Sequence, residues 1–363
     1  MTNDVFLQLL RNALWSKGDT PTMLSPEDYM ELLTVARQQT VTALVADALV
    51  RNNVRTNDDC AMMTMGELVK QQRLSDKYKK RLEKLCSLLD SREMGYVVFK
   101  GFTAAAHYPN PQLRSLGDID FYVADADFDK AVDVIRKELT PDINDERIDK
   151  HIEFNLESTK CEMHYAIETF GSKRHQQFFD AAVEDDVRNN DRRLRCNDTD
   201  IRVLSKEMEL AVIFKHLFNH LLVEGVGLRQ LCDMAIMVDA YHDNMDVERL
   251  TYLLDHMGYL KAFRATEAML TDHLGLDEAH LIYNLKESDH RWGDMIMDDV
   301  MKGGNFGRAA YKNHEEGWRK SVETASVGFR HCLRYFRLAP KDIACLIPRR
   351  IGITVKRRFG DFR

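Results

Sequence analysis

An α+β fold, with a small mixed sheet set between two helical regions, is what the sequence predicts. Three observations carry it. Apolar residues recur at helical spacing up to about Asp90, short β-branched and aromatic runs replace them from Tyr96 to Ile167, and helical spacing returns after about Asp200. The 363 residues suffice for more than one ordinary core. They divide into an N-terminal helical region (1–90), a mixed core (91–200), a C-terminal helical region (201–300) and a basic tail (301–363).

In chain order, Ser25 followed by Pro26 and Glu27 reads as a helix start with proline in the first turn. From Gly66 to Asp90, Leu68, Leu74, Tyr78, Leu82, Leu85 and Leu89 stand among Lys, Arg and Glu, the pattern of one long amphipathic helix. Tyr96 to Phe99 and Ile119 to Val123 read as strands. Between them, Thr103 to His107 suits a short helix, which Pro109-Asn110-Pro111 must end. Phe128, Ala131, Val132, Ile135 and Leu139 form one helical face. Ile152 to Leu156 and Cys161 to Ile167, separated by Glu157 to Lys160, read as a hairpin. Later, Leu210, Ile213, Phe214, Leu217 and Leu221 share a face, as do Val247, Leu250, Leu254 and Met257.

Composition narrows the class. With 44% hydrophobic and 30% charged residues, the chain fits a helix-rich globular protein. No stretch has the length of a membrane span, and the start lacks the basic and apolar regions of a secretory signal, so a cytoplasmic address is expected. Cys60, Cys86, Cys161, Cys196, Cys232, Cys332 and Cys345 are scattered without a CxxC, which points to free thiols filling the core. Residues 301–363 hold 15 Lys/Arg against 5 Asp/Glu, while the rest holds 36 against 53. An acidic body excludes a general DNA-binding surface. The basic end, with Ile347, Ile351 and Ile353 among Arg and Lys, is expected to dock on that acidic body in preference to RNA or anionic lipid.

Chemistry concentrates in FKGFTAAAHYPNPQLRSLGDIDFYV, residues 99–123. Strand alternation sends Asp118 and Asp120 to one face and Ile119 and Phe121 to the other. Two such charges about 4 Å apart repel by roughly 4 kcal/mol at an effective dielectric near 20, which calls for a cation. Mg²⁺, a hard ion suited to carboxylates, water and phosphate, is the expected one, with Mn²⁺ as its substitute. On the hairpin, Glu162 and His164 share a face, and Glu162 can supply a third acid; Glu153 and Glu157 are alternatives, because pairing register is not readable from one sequence. Three acids can hold two metals for an in-line phosphoryl displacement. Lys100 and Gly101 end a strand and open a helix, where backbone N–H groups favour an anion, and Lys100 and Arg114 add charge for a triphosphate.

These residues resemble the DNA polymerase β-type nucleotidyltransferase superfamily, and within it the uncharacterised nucleotidyltransferases. The resemblance rests on strand-Lys100-Gly101-helix, Arg114, Gly117-Asp118-Ile119-Asp120, Glu162-Met163-His164, and Gly227, Arg229 and Asp233, over roughly residues 90–240. It implies a nucleotidyltransferase sheet in which Asp118, Asp120 and Glu162 bind the metals and Glu162 orients or deprotonates the acceptor hydroxyl. Lys100, Gly101, Thr103, Arg114, Gly117 and Arg229 would surround the nucleotide. Two features differ from the superfamily's pattern: the usual Gly-Ser is here Lys100-Gly101-Phe102, with no hydroxyl before Thr103, and the gap to the acid pair is longer.

The expected activity is transfer of an NMP group from an NTP, with ATP as the expected donor, to a hydroxyl of a small molecule, sugar or protein. Protein AMPylation is one version of it. A non-catalytic, antitoxin-like binding protein is the alternative that the missing serine favours. For other residues the plainer reading leads. His216 and His220, at i and i+4, pack rather than bind zinc, His151 and His164 make structural hydrogen bonds or assist proton transfer, and Arg229 pairs with Asp233 one turn on unless it faces the nucleotide.

Overall fold

The computed structural model describes residues 3–148, 150–223, 225–304 and 318–346. The chain opens with three helices, α1 (Asn3–Trp15), α2 (Pro26–Gln38) and α3 (Thr42–Arg51). Ser25 caps α2 by accepting from the Asp28 backbone N–H, as the Ser-Pro-Glu start implies. The long helix α4 (Asp58–Ser91) begins two turns before Gly66, because Asn57 caps it and Asp58 and Asp59 fill its first turn. Gly66 is simply passed through, with open space where a side chain would stand.

The mixed region holds β1 (Tyr96–Val98), the short α5 (Gly101–Ala105), β2 (Ile119–Val123), α6 (Asp125–Glu138), β3 (Asn144–Ile148), β4 (His151–Leu156) and β5 (Thr159–His164). Their spatial order is β1-β2-β5-β4-β3, with β2 and β5 parallel and every other pair antiparallel. The apolar side of this sheet, including Ile119, Phe121, Met163 and Phe154, forms one core with Tyr78, Leu82, Leu85 and Leu89 of α4 and with Phe128, Ala131 and Ile135 of α6. Alternation places Asp120 and Tyr122 on the opposite side. Tyr122 belongs to the larger second core, so that side faces the remaining helices.

Those helices are α7 (Lys173–Asn189), then, after a small hairpin of β6 (Arg193–Cys196) and β7 (Thr199–Arg202), α8 (Lys206–Val223), α9 (Leu228–Tyr241), α10 (Val247–Met257), α11 (Leu260–Leu274), α12 (Glu287–Gly303) and α13 (Trp318–Tyr335). N-terminal and C-terminal helices share one core: Phe6, Leu9 and Leu44 bury with Phe214, Leu231, Phe263 and Met269. Cys332, Tyr335, Leu338 and Ile343 join it, so residues of the 301–363 stretch pack on the body. The expected docking of Ile347, Ile351, Ile353 and their basic neighbours lies outside the described residues. All seven cysteines are free, and only Cys345 is exposed. No helix among the described residues is long and apolar enough to cross a membrane.

Candidate active site

Strand pairing decides which acids meet. Asp120 on β2 stands directly beside Glu162 on parallel β5, and Glu162 stands opposite Glu153 on β4. Asp118, two residues before Asp120 on the same face, is half-buried and has no ion-pair partner among the described residues. Burial, then the charges of Asp120 and Glu162, push its pKa up. Glu162 is therefore the hairpin acid in register with the pair. Glu153 lies farther out, half-exposed, and Glu157 sits in the turn, where its carboxylate accepts from Arg81 at 2.6 Å.

Cations and imidazoles surround these acids. Lys100 Nζ donates to Asp120 Oδ1 at 2.7 Å, and His164 Nε2 lies 3.0 Å from the same oxygen. Burial alone would raise the Asp120 pKa, but Lys100 and His164 outweigh it and hold the carboxyl well below the usual range. For Glu162 burial is again outweighed, here by His164, Lys160 and Lys100 against the opposing charge of Asp120, and its pKa falls to about 2. Lys100 itself has φ +62° and ψ −113°, a conformation that costs a side-chain-bearing residue about 1–3 kcal/mol and tends to persist where function requires it.

Three of the residues expected at the nucleotide have partners or surroundings within the protein. Arg114 is buried, with Nε and Nη2 forked onto Asp233 at 3.0 and 2.6 Å and Nη1 on the Ser115 carbonyl at 3.0 Å. Thr103 is buried and donates its hydroxyl to the Lys100 carbonyl, turned away from the acids. The helix opened by Gly101 has five residues. Gly101 instead makes room for the arginine, since a Cβ on it would lie 2.8 Å from Arg114 Nη1. Gly117 is open to solvent next to Asp118.

The expected Arg229–Asp233 pair is also replaced. Asp233 takes the buried Arg114 fork and the Tyr108 hydroxyl, 2.8 Å away, because a planar bidentate partner inside the core satisfies both oxygens. Arg229 instead donates Nη1 to the Ser115 carbonyl at 3.2 Å, and its Nε has no hydrogen-bond partner among the described residues. It remains half-buried, in the field of Asp118.

Across from the sheet lies a network that sequence reasoning missed. Glu168, fully buried after β5, accepts from Lys150 at 3.1 Å and His216 Nδ1 at 2.9 Å through one oxygen and from Asn219 at 2.9 Å through the other. His220 Nε2 is 3.2 Å from His216 Nε2. Burial, then nearby Lys100, pushes the His216 pKa down to about 4. The i, i+4 spacing of these histidines was visible, but their carboxylate partner, 48 residues away, was not.

Set against known proteins, the chain matches the model of a family described as uncharacterised nucleotidyltransferase over residues 25–275. No curated protein matches it. Among solved structures, it is similar to the antibiotic-resistance factor ANT(2'')-Ia, with 11% identity, 55% of this chain and 97% of that chain covered, and a TM-score of 0.35. It is also similar to an antigenic nucleotidyltransferase-like protein from Paracoccidioides brasiliensis, with 14% identity, 56% and 94% covered, and a TM-score of 0.36. Likenesses this distant say nothing of the substrate. The family match spans well over half of the chain and includes every acid just described, and the protein accordingly belongs to the uncharacterised nucleotidyltransferases, a family of transferases.

Proposed function

We propose that the protein is a Mg²⁺-dependent enzyme that moves an NMP group from an NTP, with ATP as the preferred donor, to a hydroxyl acceptor and releases pyrophosphate. The observation that carries this reading is the register that sets Asp120 beside Glu162, with Asp118 on the same face and without an ion-pair partner among the described residues. The donor set fits a hard divalent ion: three carboxylates converge, and Asp118, its pKa pushed up by burial and then by the charges of Asp120 and Glu162, has no ion-pair partner among the described residues. Asp118, Asp120 and Glu162 would hold the ions. A divalent ion held there supplies charge to a triphosphate and steadies the departing pyrophosphate.

The chain's own residues divide the remaining work. Lys100 brings an ammonium to the mouth of the acid cluster and is the cation best placed to meet phosphate oxygens once it leaves Asp120. Arg229, half-buried and with no hydrogen-bond partner for Nε among the described residues, adds a second positive group. The half-buried strip His216, Asn219 and His220 of α8 forms the facing wall, where the acceptor would lie.

Calorimetry with ATP, with and without Mg²⁺, tests the reading together with pyrophosphate release. The wild type binds ATP in a Mg²⁺-dependent way, and Asp120→Asn loses that binding and any release. Equal behaviour of the two proteins would overturn the proposal. Labelled ATP in a cell lysate then separates a labelled protein band from a labelled small product.

A further inference from the structure

We propose that His151, His164 and Glu162 form a mixed nitrogen and oxygen site for a borderline divalent ion of the Co²⁺, Cu²⁺ or Zn²⁺ class, beside the carboxylate pair. The inference deepens the reading above and rests on it for the claim that this cleft works with divalent ions.

The geometry turns three donor atoms toward one another. His164 Nε2 lies 3.6 Å from Glu162 Oε2 and 3.0 Å from Asp120 Oδ1, with its Nδ1 3.3 Å from the Ala166 carbonyl. His151 Nε2 meets Glu153 Oε1 at 3.1 Å, and its Nδ1, buried and without a hydrogen-bond partner among the described residues, lies 3.7 Å from the same Glu162 Oε2. An imidazole held by an acceptor at its outer nitrogen, with the other nitrogen facing inward, is the arrangement metal-binding histidines adopt.

These three residues could hold one cation between them. Their donor atoms lie within 4.8 Å of one another, a spacing that bonds of about 2.0–2.2 Å can close with small side-chain shifts. Glu162 Oε1 is occupied by Lys160 at 2.8 Å, which leaves Oε2 for the ion. Two imidazoles and one carboxylate select borderline ions over Mg²⁺, whose preference is for oxygen alone.

The decisive experiment titrates the full-length protein with Co²⁺ and follows its visible absorption. The wild type develops the bands of nitrogen-ligated Co²⁺, and His151→Ala lowers Co²⁺ affinity by roughly tenfold to a hundredfold, the range seen when a metal site loses a supporting group. His151 is the variant of choice because His164 is fully buried. Spin-echo spectroscopy of the wild type loaded with Cu²⁺ needs no variant, and it shows the nitrogen modulation of bound imidazole. Absence of that modulation, or equal Co²⁺ affinity in both proteins, would overturn the site. Loss of Mg²⁺-dependent ATP binding in the wild type with Co²⁺ ligation intact would instead strike the functional reading and leave this site standing.

Discussion

The helix side and the sheet rim use the same kinds of side chain and differ in how they are partnered. On the helix side Glu168 has Lys150, His216 and Asn219, and Asp233 has the Arg114 fork and Tyr108. At the sheet rim Lys100 and Lys160 answer Asp120 and Glu162, while Asp118 has no ion-pair partner and the buried His151 Nδ1 no hydrogen-bond partner among the described residues. Carboxylates each closed by several donors act as scaffold. A rim that keeps an unanswered acid and an unanswered ring nitrogen is arranged for something that arrives from outside.

Three substitutions probe that contrast. The largest effect is expected from Arg114→Ala, which strands the buried Asp233 carboxylate and costs about 3–5 kcal/mol in denaturant unfolding. Unchanged stability with weakened ATP binding would move Arg114 from scaffold to ligand site. Glu168→Gln comes next. It removes the charge that Lys150 and His216 answer and lowers stability by about 1–3 kcal/mol, while the Co²⁺ spectrum is retained. A Co²⁺ spectrum lost along with Glu168 would erase the distinction between helix side and rim.

The smallest effect concerns Glu267 of α11, a helix-side acid with one oxygen on the Ile282 N–H and the other unmatched. Burial pushes its pKa up to about 8. A raised acid contributes stability fully below its unfolded value near 4.5 and loses it as pH climbs to about 8. The wild-type melting temperature should therefore fall between pH 5 and 8, and Glu267→Gln should flatten that fall by a few degrees. Parallel curves would show that the carboxyl is already ionised in the folded protein.

What was legible in the sequence follows from what is local. Alternation placed Asp118 and Asp120 on one face, and the hairpin carried Glu162 to the sheet, because both depend on neighbours two residues apart. Strand β3 (NDERI) escaped notice because it lacks apolar alternation, and β6 (RLRC) because its alternation lasts only four residues. Arg114 and Asp233 are 119 residues apart, whereas Arg229 sits one turn from Asp233, so local spacing suggested the wrong partner. The partners of His164 and His151 were invisible for a similar reason: Ala166 and Glu153 meet them only once the strands are paired.

Gly101 gives the Lys-Gly turn a further meaning. Any side chain there would press on Arg114, which Asp233 pins from the far side. Positions 101, 114 and 233 consequently behave as a single unit of inheritance. Where a relative carries a larger residue at the first, the other two should have changed with it, and an alignment deep enough to show that trio drifting together would read the interior ion pair directly from sequence.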